Sequence, residues 1–273
     1  MNWSKAKNIN IVTFLVLNIL LLTVGYLNSR QYILDADSQM AITVVLERNN
    51  IFLDDAFAFA RHEPKRQISL TDNGHNQNAI TNILMRNNRN LSFSTVGDTV
   101  IFRNEYEQIS FSESRIIYQN LGNRDVVITN ENEGRMFSAT IIRNLGEMGR
   151  YFELDARRNI EGGFILEYRE SHRNNIIFSN YIIFTFKDDT IYRIDINHKT
   201  VGGFVGNPRN IRPPDEILLT FMRQTAGDTP VVVLDMDVVF QNSGGMGIPF
   251  YRIYYQIEEE VRIILINAYT NTL

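Results

Sequence analysis

Asp235 and Asp237 stand two residues apart in Val231 to Phe240, a run that alternates like a β-strand. Val232, Leu234, Met236, Val238 and Phe240 take one face and the two carboxylates the other. Paired carboxylates can hold a cation or work as general acid and base, but solvated acids on an outer strand face are the commoner arrangement. The four histidines, His62, His75, His172 and His198, show no i, i+4 or H-x-H pairing, so the spacing offers no zinc ligand set and reads as surface or turn positions. Gly244-Gly245-Met246-Gly247 lacks the following helix and the Lys-Ser/Thr of a phosphate loop, and predicts a hairpin connection. No G-x-S-x-G elbow occurs. The absence of cysteine excludes disulfides, thiolate metal sites and a Cys nucleophile. The sequence therefore offers no catalytic, cofactor or metal residue, and the expectation is a protein that is not an enzyme. An anchored hydrolase using Asp235 is the weakest alternative.

Contact chemistry is better represented. Phe250, Tyr251, Tyr254 and Tyr255 cluster in one strand candidate, where Tyr251 and Tyr255 share a face with Ile253 and Ile257 and read as core. Tyr254 lies on the other face with Arg252, and these two are the candidate external contact.

The elements that carry these residues begin with an apolar helix. No charge occurs between Lys7 and Arg30, and the stretch from Ile9 to Leu27 would be roughly 28 Å long as a helix, close to the hydrocarbon thickness of a bilayer. The sequence predicts a tail over residues 1–7, a single transmembrane helix over 8–28 and an extracellular region beyond. Lys5 and Lys7 precede the span, while Asp35 and Asp37 follow Arg30, which sets the N-terminus in the cytoplasm. A cleaved signal peptide is the competing reading, but the apolar run exceeds a usual h-region and no clear A-x-A site follows. Within the span Ile11, Phe14, Asn18, Leu21 and Gly25 share one stripe. An amide that seeks a partner in hydrocarbon, beside a glycine that permits close approach, predicts a helix-docking face. A lone Asn that bonds its own backbone is the equal alternative.

The chain has 273 residues, 44% of them hydrophobic and 21% charged, with net charge −4, which is enough for one large or two small domains. Residues 29–273 carry 25 basic and 31 acidic groups, a poor match for nucleic acid or an anionic polymer. Met40, Val44 and Val45 predict a helix that stops at Asn49-Asn50. A short strand over Gln67 to Leu70, a helix over Gln77 to Arg86 and three or four strands between Leu91 and Gln119 follow, with a hairpin turn at Gly97-Asp98. From Glu133 the order helix, strand, strand, strand occurs twice. The first helix carries Phe137, Ile141, Leu145 and Met148 and stops at Gly149. The second opens at Pro213-Pro214-Asp215 and buries Ile217, Leu218, Phe221 and Met222. The fold class expected is α+β, with antiparallel sheets covered on one face by helices, in two modules at 29–130 and 131–273.

The opening Met1-Asn2-Trp3-Ser4-Lys5-Ala6-Lys7, running into the apolar stretch, resembles the start of YycI-type proteins of Gram-positive bacteria, with Asn2 where an acidic residue is usual. Leu46 to Ile51 is similar to that family's segment after its first external helix. Pro249-Phe250-Tyr251-Arg252-Ile253 and Ile266-Asn267-Ala268-Tyr269-Thr270 resemble its terminal hairpin, with Tyr251 in place of Trp and Asn271 in place of Gly. The resemblance places the chain in the YycH superfamily. It implies a non-enzymatic, single-pass regulator in cell-wall homeostasis, without cofactors. Such a protein associates with a YycH-like partner and with the sensor histidine kinase WalK (YycG), and modulates the kinase through transmembrane contacts. An anchored external module that binds a wall fragment or a secreted protein is the alternative.

Overall fold

The computed structural model describes residues 3–72, 74–85, 90–122 and 126–273, and in the first helix the side chains of Lys7 and of Asn10 to Thr23. In chain order the elements are α1 (Trp3–Arg30), α2 (Ala36–Glu47), β1 (Ile51–Leu53), β2 (Lys65–Thr71), α3 (Gln77–Leu84), β3 (Ser92–Val96), β4 (Thr99–Arg103), β5 (Glu107–Ser112) and β6 (Arg115–Asn120). They continue with α4 (Glu131–Asn144), β7 (Phe152–Ile160), β8 (Gly163–His172), β9 (Asn175–Lys187), β10 (Thr190–Asn197), β11 (Thr200–Arg209), α5 (Pro214–Thr225), β12 (Val231–Ser243), β13 (Met246–Ile257) and β14 (Glu260–Asn267). This is a mixed α+β protein dominated by strands. Two strands missing from the sequence reading, β7 and β11, break the expected repeat: five strands follow α4 and three follow α5. Both are polar or glycine-rich, and each pairs on one side only, β7 with β8 and β11 with β2, where no apolar alternation is required.

The chain divides into two compact units, one made of Met1–Lys65, Arg209–Val238 and Phe250–Leu273, the other of Arg66–Pro208 and Val239–Pro249. The boundary expected between residues 130 and 131 falls inside the second unit. A local break in composition does not register long-range pairing, and β6 pairs with β10 across that point, Ile116 opposite Ile196. Not all pairing is antiparallel: β1 runs parallel to β12, and Phe240 faces Ile177 of β9 in parallel register.

In the first unit, α2 and α5 pack together, and Ile42, Leu46, Ile51, Ile217, Leu218, Phe221, Val231, Val233, Tyr251 and Ile253 form the core. Asp35 caps α2 by accepting from the Ser38 N–H at 3.0 Å. The helix buries Ile42 and Leu46, whereas the expected Met40, Val44 and Val45 are exposed. Both stripes of α2 are apolar, so its neighbours, not its periodicity, choose the inner face. In β12, Val231 and Val233 are buried, then the phase changes and Met236, Val239 and Phe240 are, so a strictly even-numbered inner face does not form.

α1 stands apart from this core: Ile11 to Leu22 include ten large apolar side chains that are 50–74% exposed. No helix among the described residues is long and apolar enough to cross a membrane, and of the span expected over 8–28 the side chains of residues 8–9 and 24–28 lie outside the described residues.

In the second unit the strand order runs β3-β4-β5-β6-β10-β9, with β8 and then β7 also built on β9. Gly97, at φ 58°, turns the expected hairpin between β3 and β4. α4 starts at the Asn130 cap, which accepts from the Glu133 N–H at 3.1 Å, and Phe137, Ile141, Leu145 and Met148 all face the core as read. It ends at Asn144, before Gly146 at φ 62° rather than at Gly149. Gly149 has another constraint: a Cβ there would lie 1.9 Å from the Ile142 carbonyl oxygen. Gly149→Ala is expected to cost about 1–3 kcal/mol in chemical denaturation, since a backbone carbonyl must give way.

Candidate functional site: a histidine-lined cavity

The second unit contains an open cavity of about 630 Å³, bordered by α3, by the segment after α4, and by the ends of β8, β10 and β11. That volume lies in the range of small-molecule sites. The irregularity that shapes its floor is in the β8–β9 pairing. Arg169 faces Tyr181, but the next residue, Glu170, faces Ile177, so Phe178, Ser179 and Asn180 of β9 are left without partners on β8. Side chains take over the freed carbonyls: Arg169 Nη1 donates to Phe178 O at 2.7 Å and Asn197 Nδ2 to Ser179 O at 2.6 Å.

Asn180, fully buried, fixes the site from this bulge. Its Nδ2 donates to Glu170 Oε2 at 2.5 Å and to Lys199 O at 2.7 Å, while its Oδ1 accepts from Lys199 N at 3.1 Å. The clamp holds the β10–β11 connection, and therefore His198, next to Glu170. His198 Nε2 lies 3.6 Å from Glu170 Oε2, with their side chains 13% and 7% exposed. That separation is too long for a hydrogen bond. Burial pulls the His198 pKa down to about 4, helped by the like charge of His75 and opposed by Asp72. Burial also raises the Glu170 pKa, against the Asn180 hydrogen bond. His198 is thus neutral at pH 7 and forms no ion pair with Glu170.

His75 enters from the loop before α3, its ring 6.3 Å from that of His198, with Nε2 3.4 Å from Ser114 O. His172, at the end of β8, completes the lining; burial and then Arg173 lower its pKa, and its Nε2 is buried with no hydrogen-bond partner among the described residues. Three of the four histidines thus converge on one cavity, where the sequence reading dispersed them over surface and turns. No spacing signal reveals this, because position 75, in the loop before α3, meets positions 172 and 198 only through tertiary packing. Among the described residues no group of three or more His, Asp or Glu is placed to hold a metal ion.

The residues singled out from the sequence lie elsewhere. Asp235 is exposed, its Oδ1 accepting from Met236 N at 2.8 Å, whereas Asp237 is committed to Arg252: Nε to Oδ1 at 2.9 Å and Nη2 to Oδ2 at 2.6 Å. The two carboxylates do not act as a pair. Arg252, expected on a contact face with Tyr254, is only 3% exposed; its guanidinium lies 4.9 Å from the centre of the half-buried Tyr254 ring. A contact that needs a free Arg252 is therefore not formed. In α1, Asn18 Nδ2 donates to Phe14 O at 2.8 Å, so the amide bonds its own backbone. Ile11, Phe14 and Leu21 are exposed along the same helix, and the surroundings of Gly25 lie outside the described residues.

No family model and no curated protein matches the sequence. Among solved structures, an uncharacterized protein from Eubacterium rectale is similar at TM-score 0.51 and 9% identity, over 81% of this chain and 90% of that one. YycH from Bacillus subtilis is similar at TM-score 0.49 and 10% identity, over 74% of this chain and 53% of that one. The C-terminal domain of YpeB from Bacillus megaterium gives TM-score 0.41 and 11% identity, over 72% and 92%. At these identities the first likeness speaks to the fold alone, and the chain shares its mixed α+β fold with the Eubacterium rectale protein.

Proposed function

We propose that the chain is a membrane-anchored accessory regulator of a sensor histidine kinase of the WalK (YycG) type, acting with a YycH-like partner and breaking no bond itself. The observation that carries this reading is α1, whose exposed apolar side chains lie on all sides of the helix from Ile11 to Leu22. A helix apolar all round needs a non-aqueous surround, and a bilayer supplies one. The resemblance of residues 1–7 and of the closing hairpin to YycI-type proteins supports the choice of partner. In this reading α1 packs beside kinase helices and favours one signalling state, which requires different contacts with the two states.

Co-purification from membranes tests it. The full chain is expected to carry the kinase with it, and the chain lacking residues 1–29 to lose at least tenfold of the recovery. Undiminished recovery, or release of the mature chain into the medium, would overturn the proposal. Because Asn18 already bonds Phe14 O, Asn18→Leu is expected to weaken association only about threefold, the size of an average interhelical hydrogen bond of about 0.6 kcal/mol.

A further inference from the structure

We infer that the cavity of the second unit is a binding site for an organic cation, an ammonium or guanidinium carried on an apolar body. The inference rests on the lining alone and does not depend on what α1 does. Glu170 offers a buried carboxylate that accepts a single hydrogen bond, from Asn180, among the described residues, whereas a carboxylate can accept about four. Beside it, His198 in its Nδ1–H tautomer presents Nε2 as a second acceptor, 3.6 Å away. Two acceptors at that separation, with no donor between them, suit one N–H-rich cationic head that donates to both. His172, also in the lining, has a buried Nε2 with no hydrogen-bond partner among the described residues.

The charge of the lining agrees. Glu147 and Glu170 border the cavity, and none of its described lining residues is Lys or Arg. Glu147 is exposed and stands 3.7 Å from Arg150, so Glu170 is the one buried acid among the described lining residues. A cation would relieve the cost of a buried carboxylate that burial already pushes toward its neutral form. Ile80, Ile83, Leu145 and Met148 also line the cavity and supply apolar surface for the body of the ligand. A metal ion is the poorer fit, because the described His and Glu side chains do not form a three-ligand group.

Three water-soluble probes with one aromatic body separate the possibilities: tyramine (cationic), tyrosol (neutral) and 3-(4-hydroxyphenyl)propionate (anionic). Each is titrated calorimetrically into the full chain in lipid nanodiscs, with empty nanodiscs as the blank. Tyramine is expected to bind saturably and at least tenfold tighter than tyrosol, with no detectable binding of the propionate. Glu170→Gln should abolish the tenfold preference for tyramine over tyrosol, and Ile83→Trp should weaken binding of tyramine and tyrosol by filling apolar space in the cavity. A readout on the unaltered protein guards against a variant that does not fold: saturating tyramine should move the pH titration of the Glu170 carboxyl carbon to lower pH. Equal binding of the three probes, a preference that survives Glu170→Gln, or an unmoved Glu170 titration would overturn the inference. So would displacement of tyramine by zinc alone at micromolar concentration.

Discussion

Arg169→Ala should lower the unfolding free energy of the full chain by about 3–5 kcal/mol in denaturant titration, the usual cost of breaking a buried ion pair from one side. Arg169, Glu167 and Asp155 have side chains 7%, 7% and 9% exposed, and the guanidinium reaches Glu167 Oε2 at 3.2 Å and Asp155 Oδ2 at 3.7 Å. Its carbon also lies 4.1 Å from the centre of the Phe178 ring. Removing it leaves two buried carboxylates, with the partly exposed Arg158 still on Glu167. It also removes the hydrogen bond from Arg169 Nη1 to Phe178 O, in the bulge that orients Asn180. Adding Glu167→Gln to Arg169→Ala should recover part of the loss; if it recovers none, the charge account is wrong. Because the bulge sets Glu170, the same variant should weaken tyramine binding even at temperatures where it stays folded.

A second large effect is expected from pH. His198 titrates near 6.5 in an unfolded chain and at about 4 in the fold. Below pH 6.5 the unfolded state therefore takes up the proton first, so this stability is full above about pH 6.5 and is lost as pH falls toward 4. Integrated from pH 7 to 4.5, the contribution is on the order of 2–3 kcal/mol, since the side chain is well buried. Glu170, raised in the fold, works the other way: the native state holds its proton longer, which adds stability as pH falls through its folded pKa. The measurement is therefore a difference. Unfolding free energies at pH 7 and 4.5 are compared in the wild type and in His198→Asn, and the wild type should lose about 2–3 kcal/mol more. Equal losses would show that His198 is not held neutral.

The contrast between what the sequence revealed and what it hid has a consistent physical basis. α5 was legible because Pro213-Pro214 opens it and Ile217, Leu218, Phe221 and Met222 make one apolar face, all of which the structure packs inward. The hairpin at Gly97-Asp98 was legible because turns with positive φ select few residues, and Gly97 sits at φ 58°. α2 misled because it has two apolar stripes, and β12 because its alternation changes phase at Asp235-Met236. The cavity was not legible at all. Glu170, His172 and His198 meet through strand pairing and a bulge that depends on a register shift, and His75 joins them from the loop before α3; none of this leaves a local pattern.

The last consequence concerns how the molecule is made. The polypeptide passes between its two units four times, and the tip of the β12–β13 hairpin belongs to the second unit while both stems belong to the first. Ile42 and Leu46 of α2 must wait for Ile217, Leu218 and Phe221, about 170 residues later on the ribosome. At common synthesis rates that is on the order of ten seconds or more with a greasy helix bare. A holdase or an export factor has a long interval in which to meet this chain, and a nascent fragment cut anywhere before residue 250 lacks a stretch that both stems require.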